Sequence, residues 1–596
     1  MGSLSRWAVR RPVWGIVAWF LAMGIVVLLG TRFGGELNDS FALPDTESTT
    51  ATELLSTIPP NANGETAIRI VWSDGGPVEA PAVEQQITPL LQSIAAIPSV
   101  ACVTNPYGDP YGTDCPDTGG GDSQLPPEIA AQLAPAFEAT AKATSPISAD
   151  GTVAFARVSL QGNGIDMSQA DARAILDSVK AANVDGMQVG ASGQVLEFAS
   201  TEPPSSECIG ILVAIVILLI AFGSLVAAGI PIIVALLGLA TGQMLVLVVA
   251  RFLDVATFAP TLAAMIGLGV GIDYALFVLN RYRQALLAGH DKKAAAYESV
   301  ATAGRAVTFA GATVIIALLG LFVLRISFFN GLSVAAAVTV LSVMLSALVL
   351  LPALLSLLGT KALAIRMPWA RKSKVDGSKH PEGRRFMAYA RFLQRKPIIP
   401  ALLALGVVVV FAIPTLSLRL GFADDSGKPA GSPSRIAYDL MSEGFGPGVN
   451  GPFFAAVTLP QPRDTEALAQ VVELITETPG VASTLPNEAM LPLYAISPTA
   501  YSDNGIVTSI LITPTTSPQD PATAELLDRL RTETAPLIEQ QAGAAIYVGG
   551  AQAITQDFTQ VLIDVLPLFL GIVVLLGFLA LMILFRSLLV PLTAAV

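Results

Sequence analysis

The sequence predicts a polytopic α-helical membrane protein that carries two extracytoplasmic α+β domains. Three observations predict this class. First, mean hydropathy is +0.62 and only 13% of the 596 residues are charged, which is too apolar for a water-soluble chain. Second, apolar runs recur that are long enough to cross a bilayer, which takes about 20 residues. Third, two long polar stretches between those runs alternate strand and helix patterns.

The elements follow in order. Residues 1–30 hold Arg6, Arg10 and Arg11 and then an apolar run from Val13 to Gly30 without a small-residue cleavage pattern. This reads as a first span with its N-terminus in the cytoplasm, not as a signal peptide. Residues 31–207 form the first soluble α+β domain. Thr66–Trp72, a strand beginning at Val153 and Met187–Ala191 read as strands; Pro81–Ile97 and Ser168–Ala181 read as amphipathic helices. That alternation is close to a split βαβ unit. Gly108–Pro127, rich in Gly, Pro and Asp, reads as a loop.

Residues 208–360 form a block of five spans: Cys208–Phe222, Ala228–Ala250, Phe258–Leu279, Val307–Leu324 and Leu332–Leu358. The connection Arg281–Arg305 holds Arg281, Arg283, Lys292, Lys293 and Arg305 and is therefore expected in the cytoplasm. Residues 361–396 are a basic cytoplasmic linker, in which Glu382–Arg395 reads either as a surface-lying amphipathic helix or as part of a solvated linker. Residues 397–417 are a seventh span. Residues 418–560 are a second soluble domain, with strands Phe453–Val457, Ile506–Ile512 and Ala545–Val548 and helices Thr465–Thr476 and Ala522–Gln540. Residues 561–596 hold an eighth span, Val561–Leu584, and the start of a ninth.

The formal net charge, 34 − 46 = −12, is unevenly placed. Thr31–Glu207 holds 23 acidic against 6 basic residues, whereas the linker is strongly basic. The bias reports topology and gives no sign of nucleic-acid binding, because the basic residues flank apolar spans and lack interleaved aromatics. No Ser/His/Asp arrangement or phosphate-binding loop is present, which argues against an enzyme. His290 and His380 stand apart with no Cys cluster, so no metal site is expected. Cys102 and Cys115 share one loop, CVTNPYGDPYGTDC; a disulfide and two thiols both stay open.

An internal tandem repeat is visible in words as well as layout. Arg11-Pro12 and Lys396-Pro397 open the first and seventh spans. Gly193-Gln194 and Ala551-Gln552 precede the second and eighth, and Phe222-Gly223-Ser224-Leu225 matches Phe585-Arg586-Ser587-Leu588. A span, a βαβ-type domain and a helical block are thus used twice, a transporter pattern. The chain stops inside an apolar segment, so truncation of the second block is expected.

The stretch Gly267–Arg283, GLGVGIDYALFVLNRYR, sets one carboxylate, Asp273, inside an apolar span. A charge at bilayer depth costs at least about 2.5–3.5 kcal/mol, so such a residue has a partner or a task. Tyr274 follows it. Gly267, Gly269 and Gly271 thin the helix for close packing by a neighbour. The candidate role is a proton relay; the alternative is a carboxylate that only packs within the bundle.

Gly269-Val270-Gly271-Ile272-Asp273-Tyr274, the run Thr302-Ala303-Gly304-Arg305-Ala306-Val307-Thr308-Phe309 and Leu351-Pro352-Ala353-Leu354-Leu355 resemble the MmpL-type membrane transport proteins, the MMPL family of the resistance-nodulation-division superfamily. The resemblance covers the whole chain, and the five-span block also looks like a sterol-sensing-type domain. It implies porter-like soluble domains and proton-driven export of lipids or other hydrophobic compounds from the cytoplasmic membrane, with no cofactor beyond the proton gradient. It also implies that Asp273 and Tyr274 pair with a second Asp-Tyr in the tenth span, beyond Val596. The family often has Ser after the position of Phe309; here it is Ala310, which leaves Thr308 and Thr313 as candidate relay neighbours. Membrane lipids and a hydrophobic or lipid substrate are the implied partners; a homo-oligomer and accessory envelope proteins stay open. Two other readings are kept: a non-transporting sensor or scaffold, and a multidrug efflux pump of the same superfamily.

Overall fold

The computed structural model describes residues 2–37, 46–59, 68–112, 115, 127–161, 167–184, 186–193, 195–196, 205–324, 326–364, 381–418, 421, 423–497, 499–589 and 591–592. The chain opens with α1 (Gly2–Arg10), α2 (Pro12–Phe33) and α3 (Glu47–Leu55). There follow β1 (Ile68–Ser73), α4 (Pro81–Ala95), β2 (Val100–Val103), β3 (Tyr111–Gly112), α5 (Pro127–Ala143), β4 (Ala154–Leu160), α6 (Gln169–Ala182) and β5 (Gln188–Ser192). The apolar helices α7 (Ser205–Phe222), α8 (Leu225–Val249), α9 (Ala259–Leu287), α10 (Lys292–Leu319) and α11 (Ser327–Leu345) come next. A π-turn, Ser346–Leu350, joins α11 to α12 (Leu351–Leu358). The second half runs α13 (Pro381–Arg395), α14 (Ile398–Ala412), α15 (Pro433–Phe445), β6 (Phe453–Thr458), α16 (Thr465–Thr476), β7 (Val481–Leu485), α17 (Leu491–Ile496), β8 (Val507–Pro514) and α18 (Pro521–Arg529). A second π-turn, Leu530–Thr534, leads to α19 (Ala535–Ala542), β9 (Ala545–Gly549) and α20 (Ala551–Phe585).

Two compact units result. A helical unit takes in Met1–Pro44, Pro204–Leu420 and Leu562–Val596; an α/β unit takes in Asp45–Pro203 and Gly421–Val561. Among the described residues seven helices are long and apolar enough to cross a membrane: Pro12–Phe33, Leu225–Val249, Ala259–Leu287, Lys292–Leu324, Ser327–Ala362, Ile398–Ser417 and Ala551–Ile583. Ile209–Phe222 is a shorter apolar helix.

Local chemistry sets the helix ends in the helical unit. Ser224 and Asp291 cap α8 and α10 by accepting the backbone N–H of Ala227 and Ala294, and Pro12 and Pro260 occupy first turns where no N–H is needed. Pro352 lacks an N–H and crowds the carbonyl four residues back, so the helix widens into its π-turn just before it. α11 is the most deeply buried of the long apolar helices. Its small polar residues satisfy themselves on neighbouring backbone: Ser342 Oγ donates to Gly238 O of α8 (2.8 Å), Ser346 Oγ of the π-turn to Val234 O (3.1 Å), and Ser333 Oγ to Leu318 O of α10 (2.7 Å). Such residues let helices approach closely where no hydrophobic drive exists.

The connection Arg281–Arg305 is largely helical. α9 continues to Leu287 and α10 begins at Lys292, so only a short turn separates them. Glu298 of α10 closes that turn, 2.9 Å from Arg281 and 2.8 Å from His290 Nδ1. In the basic linker, residues 365–380 lie outside the described residues, and a helix stands at Pro381–Arg395.

The α/β unit holds two antiparallel sheets. Their orders are β3-β2-β4-β1-β5 and β7-β8-β6-β9, so with β3 set aside the strands correspond one to one. Each follows the β-α-β-β-α-β order of a split βαβ unit. The first sheet buries Ile68, Ile70 and Trp72 under α4 and α6; the second buries Phe453, Ala455 and Val457 under α16 and its neighbours. The two segments exchange helices. α3, from the first segment, lies on β9 of the second sheet, and α15, from the second, lies on β5 and β1 of the first. The last strand of each sheet makes room with a glycine. A Cβ on Gly549 would stand 2.8 Å from Ala51 Cβ of α3, and one on Gly190 would stand 2.6 Å from Ala437 Cα of α15.

Sequence patterning did not identify α3, β2, β3, α5, α15 or β7. The expected loop Gly108–Pro127 contains β3 and the first residue of α5; its residues 113–114 and 116–126 lie outside the described residues. Cys102 of β2 and Cys115 form a disulfide.

Candidate functional site

α9 presents two faces. Ala263, Gly267, Gly271, Tyr274, Ala275 and Val278 are buried, while Leu262, Met265, Ile266, Gly269, Asp273 and Phe277 form an exposed stripe. A helix turns about 100° per residue, so adjacent Asp273 and Tyr274 fall on different faces. Tyr274 is 4% exposed, and a Cβ on Gly311 of α10 would lie 3.5 Å from its Cε2. Asp273 makes no hydrogen bond or ion pair among the described residues.

The three glycines do not act alike. A Cβ on Gly267 would meet Thr339 Cγ2 of α11 at 2.7 Å. One on Gly271 would meet Ala235 Cβ of α8 at 3.0 Å, with Val343 Cγ1 of α11 closer still. Among the described residues, a Cβ on Gly269 would have nothing within 4 Å. The reason is angular: Gly267 and Gly271 are one turn apart on the buried face, and Gly269 sits between them on the other side.

Thr308 and Thr313 are not joined to the carboxylate. Their hydroxyls donate within α10, to Gly304 O (2.8 Å) and Phe309 O (2.9 Å). The site is therefore a single carboxylate on the open stripe of a helix whose opposite face is held between α8 and α11. Chemically it offers one carboxylate that no ion pair occupies among the described residues.

A second cluster, in the α/β unit, has no signal in periodicity or motif. Arg531, in the π-turn before Pro536, donates to Asp557 Oδ1 (2.6 Å), Asp557 Oδ2 (3.0 Å) and Val548 O (3.0 Å), and lies 3.3 Å from Glu47. Asp557 also accepts the backbone N–H of Ser48 (3.1 Å), and Glu47 accepts that of Val548 (2.9 Å). The cluster ties α3 to β9 and to the first turns of α20. The bonds from Val548 to Glu47 and from Ser48 to Asp557 span 501 and 509 residues, a separation that leaves no local pattern in the sequence.

The sequence profile of the MMPL family matches residues 40–400 and 428–594. Membrane protein YdfJ of Bacillus subtilis (strain 168) is 30% identical over 596 residues, covering 99% of this chain and 74% of YdfJ. The mycolic acid-containing lipids exporter MmpL11 of Mycolicibacterium smegmatis is 28% identical over 384 residues, covering 63% of this chain and 38% of that protein. The heme uptake protein MmpL11 of Mycobacterium tuberculosis is 28% identical over 386 residues, again covering 63% of this chain and 38% of its own length. With the profile matched over most of its length and its apolar helices in place, this multi-pass membrane protein belongs to the MMPL family.

Proposed function

We propose that the protein exports lipids or other hydrophobic compounds across or out of the cytoplasmic membrane, driven by the proton gradient through Asp273. The observation that carries the reading is the site itself: a carboxylate without an ion-pair partner among the described residues, on a span-length helix fixed by Gly267 and Gly271. Tyr274 packs the relay helix against α10. No cofactor is needed, because the proton supplies the driving force. The lipid exporter among the relatives supports the substrate class, and the heme uptake protein sets the direction of transport as the point to test. In this reading the chain is a tandem repeat, supported by the matching strand orders of the two sheets. The Lys/Arg bias supports an extracytoplasmic α/β unit and a cytoplasmic Arg281–Arg305 turn.

The test uses protein expressed from its native reading frame and reconstituted in vesicles with an imposed pH gradient. A fluorescent lipid should move outward with the gradient, and a protonophore should stop it. Movement that ignores the protonophore ends this reading. Inward movement reverses the assigned direction.

A further inference from the structure

Two span-length helices, α2 and the one that begins with α14 at Ile398, are each preceded by a shorter basic helix, α1 and α13. The two junctions match residue by residue. The first reads Arg6-Trp7, two further residues, then Arg10-Arg11-Pro12; the second reads Arg391-Phe392, two further residues, then Arg395-Lys396-Pro397. The proline disfavours helical backbone at the residue before it, so each basic helix stops at the junction instead of running on into the span. Arg11 is accordingly non-helical, with φ −127° and ψ 70°, and Lys396 stands outside both α13 and α14. Exposure is shared as well. α1 rests on α10 and α12 and buries Ala8 and Val9, which leaves Trp7, Arg10 and Arg11 exposed. Residues 388–396 are all exposed apart from the half-buried Leu393. Trp7 is 40% exposed and Phe392 48%, with Tyr389, one turn before Phe392, at 59%. Arg6 has a partner of its own, so the outward cations of the first junction are Arg10 and Arg11. These two and Arg391, Arg395 and Lys396 make no ion pair among the described residues.

An exposed ring beside guanidiniums at the start of a span suits the headgroup layer of a bilayer. The ring sits at the boundary with the acyl chains, while the long cationic side chains reach the phosphates. Guanidiniums bind phosphate oxygens through charge-assisted hydrogen bonds. Membrane orientation alone asks for basic residues near a span end. It does not ask for the same spacing of ring and paired cations in both halves of the chain. We propose that Arg10 and Arg11 with Trp7, and Arg391, Arg395 and Lys396 with Phe392, form two repeat-related sites for the headgroup of an anionic phospholipid. Clustered cations beside a span are drawn to lipid of net negative charge, which a zwitterionic headgroup does not carry. Binding of this kind needs no transport, so it can fail separately from export.

The test is lipid retention by the purified full chain in neutral detergent, read by native mass spectrometry. The probes are phosphatidylglycerol and phosphatidylcholine with the same acyl chains, offered in equal amounts. Wild type should retain phosphatidylglycerol in preference. Arg10→Gln with Arg11→Gln, and Arg391→Gln with Arg395→Gln, should each remove one of the two sites and lower the retained phosphatidylglycerol to about half. All four changes together should abolish the preference. Lys at the same four positions keeps the charge and should keep most of the preference, which separates lost charge from lost fold. The four positions are exposed, so the variants should melt with wild type. Lys293→Gln, exposed near the start of α10, should change nothing. Equal retention of the two lipids by wild type overturns the assignment. So does a preference that the four Gln changes leave intact, or one that Lys293→Gln also removes. Glycerol phosphate that displaces the lipid at equal concentration would mark sites for a free anion and overturn it as well.

Discussion

Gly271→Ala and Gly269→Ala, two residues apart on one helix, should behave in opposite ways. A methyl at Gly271 would stand 3.0 Å from Ala235 Cβ, with Val343 Cγ1 nearer still from α11. Carbon atoms settle at about 3.5–4.0 Å, so the deficit on the α8 side alone is roughly 0.5–1 Å. α9 cannot move away from α8 without entering α11. Val343 cannot easily turn aside, since a β-branched side chain in a helix is confined to one rotamer. Overpacking of this kind costs about 1–3 kcal/mol. Among the described residues Gly269 has open space around it, so Ala there gains the helix propensity that Gly lacks, about 0.5–1 kcal/mol in favour of the variant. The assay is thermal unfolding of the purified variants in one detergent, with reconstituted transport measured alongside. A Gly271→Ala protein that melts like wild type, or a Gly269→Ala protein that melts lower, would refute the packing argument.

Other outcomes follow from the same structure. Arg531→Met strips a side chain only 15% exposed and leaves Asp557 facing Glu47 unpaired. It should cost about 3–5 kcal/mol, with part recovered by adding Asp557→Leu, and a denaturant titration with an unshifted midpoint would contradict this. Cys102 and Cys115 should resist a maleimide label until the protein is reduced. Replacing both by Ser should lower stability by about 2–4 kcal/mol, and labelling before reduction would rule out the bridge. Single cysteines introduced as Asp150→Cys and Asp503→Cys should react from outside intact cells, and Lys293→Cys only after permeabilisation; the reverse pattern would invert the topology.

Much of the architecture was legible because membrane spans and amphipathic helices write themselves locally. Thr465–Thr476 agrees with α16 residue for residue, and several apolar runs become helices that extend past their apolar ends, α10 starting at Lys292 and α20 at Ala551. The connection Arg281–Arg305 shows one such extension. Hydropathy reports where the apolar run ends, whereas α9 continues past Arg281, which pairs with Glu298, to Leu287. Short strands such as Val100–Val103 fall below any useful period and are defined only by their sheet partners. The exchange of α3 and α15 was hidden for a different reason. Its local signal, a glycine after valine in each last strand (Val189-Gly190, Val548-Gly549), marks a crossing helix only once the partner is known. At the candidate site, Asp273 stood out by its cost in lipid. The split between packed Gly267 and Gly271 and open Gly269 needed the neighbours' positions, although the four-residue spacing already placed the first two on one face.

The central claim is that Asp273 is the proton-binding group. Asn has nearly the same size and hydrogen-bonding reach but cannot titrate. In vesicles holding protein made from the native reading frame, with an imposed pH gradient, Asp273→Asn should abolish both lipid export and the accompanying proton flux. Its expression, membrane insertion and melting temperature should stay at wild-type levels. Export by Asp273→Asn at the wild-type rate, with proton flux intact, would contradict the account and make Asp273 a packing residue.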